Sequence, residues 1–119
     1  GINEVEKTLI SVPAATNGAS IFKSGTTAAH GQHIQGDVKY IRITNTDTSN
    51  YVTLNLADST PSDAAAQFRL EAGKSFIIGN ADEFDKNDDI DTAVGHDINL
   101  IEAKADTAAV ILEVYVATI

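Results

Sequence analysis

The run Val110-Ile111-Leu112-Glu113-Val114-Tyr115-Val116 sets the strictest limit on the fold, because its side chains change character with a period of two. Val110, Leu112, Val114 and Val116 fall on one face, and Ile111, Glu113 and Tyr115 on the other. That is the geometry of a strand and not of a helix, in which residues three and four apart share a face. So many β-branched residues on one side predict a strand at the centre of its sheet.

The same period recurs upstream. Val38-Lys39-Tyr40-Ile41-Arg42-Ile43-Thr44 alternates, and Tyr51-Val52-Thr53-Leu54-Asn55-Leu56 does so more cleanly, with Val52, Leu54 and Leu56 on one face. Between them lies Asn45-Thr46-Asp47-Thr48-Ser49-Asn50, whose short polar side chains bond nearby backbone and favour a turn. The two runs therefore read as a hairpin, as do residues 98–105 and 109–117 about Asp106-Thr107. Residues 67–70 point Phe68 and Leu70 inward, Ala72-Gly73 turns the chain, and residues 75–78 form a further strand. Short strands at residues 8–12 and 20–23 complete a set of about eight. Helix is limited to two single turns: Pro61 precedes three alanines as a first helical residue would, and residues 80–83 have capping-box spacing. The expectation is an all-β chain, one antiparallel β-sandwich or jelly-roll domain over residues 1–119, without an internal repeat.

Composition narrows the function. A chain of 119 residues buries about two thirds of its unfolded surface, enough for a core. Eight basic against 17 acidic residues leave a net charge of −9, which repels nucleic acid and anionic lipid, so neither is an expected partner. There is no cysteine, hence no disulfide, thiol nucleophile or iron–sulfur cluster. No apolar run reaches the ~18 residues of a membrane span. The first residues lack the basic and apolar regions of a signal peptide and the pattern for myristoylation, so neither is expected.

Residues 82–97 hold seven acids and one lysine, supplying −6 of the −9. Asp82, Asp85, Asn87, Asp89 and Asp91 offer hard oxygen ligands in one loop, and calcium is the cation such a set suits. Asp85-x-Asn87-x-Asp89 matches the first three ligand positions of an EF-hand loop. The motif then fails, with Ile90 where the turn glycine belongs and His96 where the final bidentate glutamate belongs. The simpler reading is a solvated acidic loop. His30 and His33, with His96 as a third, would suit a transition metal, but the Gly-rich segment around the first two gives their rings no rigid element.

Ala72-Gly73-Lys74-Ser75 carries the last letters of a phosphate-binding loop. Phe68 replaces its first glycine and no helix pattern follows, so it reads as a turn. There is no Gly-x-Ser-x-Gly elbow, and Glu71, Glu102 and Glu113 read as solvent-face residues of strands, so no enzyme is expected and no cofactor either. Tyr40, Tyr51 and Tyr115 fall opposite the apolar sets, as an exposed patch or as packing beneath another element.

The stretch from Val38 through the Asn/Asp/Thr/Ser turn to Leu56, with Phe68-Arg69-Leu70-Glu71-Ala72-Gly73-Lys74-Ser75-Phe76 after it, resembles small β-sandwich virion proteins of tailed bacteriophages. The resemblance covers about a third of the chain. It implies a non-enzymatic structural subunit, a head decoration, or cement, protein before a tail or fibre component, located in the virion and made in the host cytoplasm. It also implies a homo-oligomer, dimer or trimer, bound to the major capsid protein or other virion subunits. Residues 1–7, led by Gly1, Ile2, Asn3, Glu4 and Val5, are the expected arm, adding a strand to a neighbour. The alternative is a calcium-stabilised sandwich module recognising glycan or a receptor through its loops.

Overall fold

Among the residues that the structure describes, nine strands form where apolar and β-branched residues alternate with polar ones: β1 (Glu4–Val12), β2 (Ala19–Gly25), β3 (His33–Ile34), β4 (Val38–Asn45), β5 (Val52–Ala57), β6 (Ala64–Leu70), β7 (Ser75–Gly79), β8 (Leu100–Ala105) and β9 (Val110–Thr118). The structure, a computed structural model, describes residues 4–16, 18–25, 33–34, 38–57, 64–79 and 100–119. Among these residues there is no helix. The two expected helical turns at residues 60–63 and 80–83 lie outside them.

The strands make two sheets, ordered β1-β9-β4-β7 and β3-β2-β8-β5-β6. Every ladder is antiparallel except the two-residue parallel pairing of β2 with β3. Setting the short β3 aside, this is the strand order of a jelly roll, in which the chain passes repeatedly from one sheet to the other. The β-sandwich expected from the alternation is therefore present. β9 lies between β1 and β4, in the interior position expected of it.

The expected hairpins are not. β4 and β5 belong to different sheets, and so do β8 and β9. Their connections are corners that carry the chain across the core. A six-residue loop readily spans the ~10 Å between packed sheets, and facing strands bury the same alternating residues that paired strands would. The consecutive strands that do pair antiparallel are β5 and β6, with Leu54 opposite Phe68 and Leu56 opposite Ala66. The alanines after Pro61 thus enter a strand, held by ladder bonds to β5, rather than a helix.

The core lies between the sheets. Val12, Ile41, Ile43, Val110 and Leu112 from the first and Val52, Leu54 and Ile101 from the second are fully buried. Each such side chain is worth about 1.5–3 kcal/mol relative to exposure. Register shifts tune this packing: the shift between Ser20 and Phe22 lets consecutive Ile21 and Phe22 both enter the core, which strict alternation forbids. At the side where β6 turns into β7, Phe68 and Phe76 pack with ring centroids 4.5 Å apart and close the sandwich.

Buried Asn45 ties two corners together. Its amide nitrogen donates to the carbonyls of Asn50 (2.9 Å) and Leu70 (3.2 Å), while its side-chain oxygen accepts from the N–H of Asp47 (2.9 Å). Its backbone exchanges bonds with the other corner: the Asn45 N–H donates to Lys74 and the Gly73 N–H donates to Asn45. Gly73 has a φ of 75°, the left-handed region that a tight turn needs and that side chains disfavour.

Candidate interaction surface

Antiparallel register fixes which side chains share a face, because directly opposed residues point the same way. On the outer face of the β1-β9-β4-β7 sheet three rows run across all four strands: Leu9, Glu113, Thr44, Ser75; then Lys7, Tyr115, Arg42, Ile77; then Val5, Ala117, Tyr40, Gly79. Ile111 lies beyond the first row, opposite Ser11.

The middle of this face is polar and internally paired. Glu113 lies 3.5 Å from Arg42 and 3.7 Å from Lys7. The Arg42 guanidinium stands 5.0 Å from the ring centroid of Tyr115, and Tyr115 meets Tyr40 edge to face at 6.0 Å. Around this centre the apolar side chains stand free: Val5 is 49% exposed, Leu9 64%, Ile77 55% and Ile111 51%. These four lie on one sheet face, and Ile119 is the other large hydrophobic exposed among the described residues.

The outer face of the other sheet is different in kind. Thr53 stands in register with Lys104 and Arg69, and Asn55 with Glu102 and Gln67. Asn55 donates to Glu102 at 3.2 Å, and Arg69 pairs with Glu71 at 2.7 Å while stacking 3.7 Å from the Tyr51 ring centroid. An antiparallel sheet with one solvated face normally carries polar residues there, as this one does. The first sheet departs from that rule.

The expected site residues are distributed as follows. Glu4 and Val5 do not form a free arm: β1 begins at Glu4, and residues 4–7 pair within the chain with residues 118–115. The ladder bonds and the continued alternation into β9 outweigh the freedom an arm would keep. Gly1, Ile2 and Asn3 lie outside the described residues. So do Asp82, Asp85, Asn87, Asp89 and Asp91, together with His30 and His96, while His33 belongs to β3. Among the described residues no three metal-binding side chains converge. Ala72-Gly73-Lys74-Ser75 is a turn that leads into β7, as the missing helix pattern predicts. Tyr40 and Tyr115 stand on the outer face, whereas Tyr51 precedes β5 and is covered by Arg69.

Two features escaped the sequence reading. The outer apolar set is signalled by Phe76-Ile77-Ile78 and Val110-Ile111-Leu112, where three consecutive apolar residues must put one on the far face of any strand. Asn45 gave no signal beyond its turn propensity. In the loop after it, Asp47 accepts from the N–H groups of Asn50 at 2.6 Å and Ser49 at 3.0 Å, and these bonds hold its carboxyl below the ordinary value.

Compared with protein-family models, with curated proteins and with solved structures, the chain finds no match in any of the three.

Proposed function

We propose that this chain is a non-enzymatic structural subunit of a virion, a head decoration protein that binds and braces the capsid lattice. The observation that carries the reading is the outer face of the β1-β9-β4-β7 sheet, where Val5, Leu9, Ile77 and Ile111 stand exposed while the described rows on the opposite face of the sandwich are polar. Four large apolar side chains exposed on one sheet face, around a polar centre, support a working state that is an assembly. The jelly-roll strand order supports it by analogy, since that architecture recurs in capsid domains. So does the resemblance of residues 38–56 and 68–76 to small phage virion proteins, because those residues build the two corners that Asn45 joins.

The test is physical association with particles. An antibody against the chain should label the heads of tailed particles purified on a density gradient from lysed source cells. Recovery of the chain solely in the soluble fraction refutes the reading. A melting midpoint raised by calcium relative to EDTA would favour the calcium-stabilised binding module instead, since a cation held by the folded state alone stabilises it by mass action.

A further inference from the structure

We infer that the outer face of the β1-β9-β4-β7 sheet is the contact between two copies of this chain, packed face to face about a two-fold axis parallel to the strands. The inference rests on the reading of the chain as an assembly subunit and names what covers its apolar face.

Shape carries the argument. Such an axis maps each row onto itself in reverse, so β1 of one copy lies over β7 of the other. In the three rows, β1 presents Val5, Lys7 and Leu9, and β7 presents Gly79, Ile77 and Ser75. Val5 and Leu9 project from one edge exactly where the other copy has Gly79 and Ser75, which project little. Between them, Ile77 of the other copy meets the aliphatic stem of Lys7. Both edges therefore interdigitate as a comb, and they do so twice by symmetry, which is what an isologous interface requires. In the same middle row Tyr115 comes to face Arg42 of the other copy, so the guanidinium–ring contact within each chain gains a counterpart across the interface.

Charge points to the same occupant. The chain carries −9, and two copies repel wherever their acidic excess meets. In the three rows the ionised side chains are Lys7, Arg42 and Glu113, a sum of +1. This face lets two copies approach without opposing acidic surfaces. Because β1 overlies only the five residues of β7, the overlapping strands make about 400 Å² of flat sheet in each copy, about 800 Å² for the two faces before side-chain relief is counted.

The experiment is sedimentation equilibrium of the purified full chain and of three variants, each first confirmed as folded by circular dichroism. The wild type is expected to be a dimer. Ile77→Lys brings a lysine over Lys7 of the other copy and is expected to weaken the dimer about 100-fold, because juxtaposed like charges are costly at an interface. Ile77→Glu brings a carboxylate over the same lysine and is expected to remain dimeric. Thr53→Lys, on the polar face of the other sheet, is expected to match the wild type. A wild-type monomer overturns the inference, and so do Ile77→Lys and Ile77→Glu behaving alike, or Thr53→Lys dissociating the dimer. A monomer that still labels particle heads refutes the two-fold contact but leaves the decoration reading standing, with a capsid protein on this face. A dimer absent from particles does the reverse.

Discussion

Replacing Asn45 by alanine tests the claim that one buried amide holds two corners of the sandwich together. The substitution removes three hydrogen bonds, to Asn50, Leu70 and Asp47, from a residue with no exposed surface. A hydrogen bond contributes about 1 kcal/mol net, so the bonds alone amount to about 3 kcal/mol. The Leu70 carbonyl lies on the buried side and loses the Asn45 donor, which adds about 1–2 kcal/mol, whereas groups nearer the surface recover water. The expected loss is about 4 kcal/mol, a large part of the roughly 6–18 kcal/mol that a chain of 119 residues has in total. Urea unfolding should show the midpoint falling with an unchanged slope, and the melting temperature should drop by about 12–20 °C. Asn45→Asp sharpens the test. It keeps the acceptor for Asp47 but points an ionised oxygen at two carbonyls, so at neutral pH it should be at least as damaging as alanine. It should partly recover in acid, where a protonated carboxyl can donate. A loss under about 1 kcal/mol for Asn45→Ala would refute the clamp, because it would mean that water or a neighbour satisfies the freed groups at no cost.

Two further outcomes follow from the turns. Asp47 has its pKa lowered chiefly by the N–H of Asn50 and then by that of Ser49, so its contribution to stability is complete above the ordinary carboxylate pKa of 3.8 and disappears as pH falls through the lowered value. The gap in urea midpoint between wild type and Asp47→Asn should accordingly shrink on acidification from about pH 6 to pH 2, and a constant gap would exclude the ionised turn. The glycines separate strain from collision. Gly73→Ala meets open space and only the cost of its positive φ, about 1 kcal/mol, while Gly18→Ala adds a collision with the Ala103 carbonyl and should cost more than twice as much by chemical denaturation. Equal losses at the two positions would remove that distinction.

How much of this was legible beforehand differs from element to element. The alternation in residues 110–116 and 52–56 marked strands, inward faces and the interior place of β9, because side-chain period is a local property of an extended backbone. Phe68 and Leu70 were placed inward by the same rule. Partnering was not local. The polar run 45–50 marks a turn whether the strands it joins lie side by side or face one another across a core, and local signals for the two are the same. The candidate surface was legible only in part: Ile77 and Ile111 announce themselves as the odd residue in apolar triplets, but which strands bring them to the same face depends on register.

The sequence by itself determined that the chain is all-β, that its core is built from Val52, Leu54, Val110, Leu112 and their like, and that acidic charge dominates, since each of these is read from spacing or from counting. Only the tertiary structure decided that residues 4–7 close a sheet rather than extend as an arm, that consecutive strands cross between sheets, and that Asn45 is buried at the junction of two corners. Those outcomes depend on contacts between residues far apart in the chain, such as Asn45 with Leu70 and Val5 with Ala117, whose free energy no local pattern encodes.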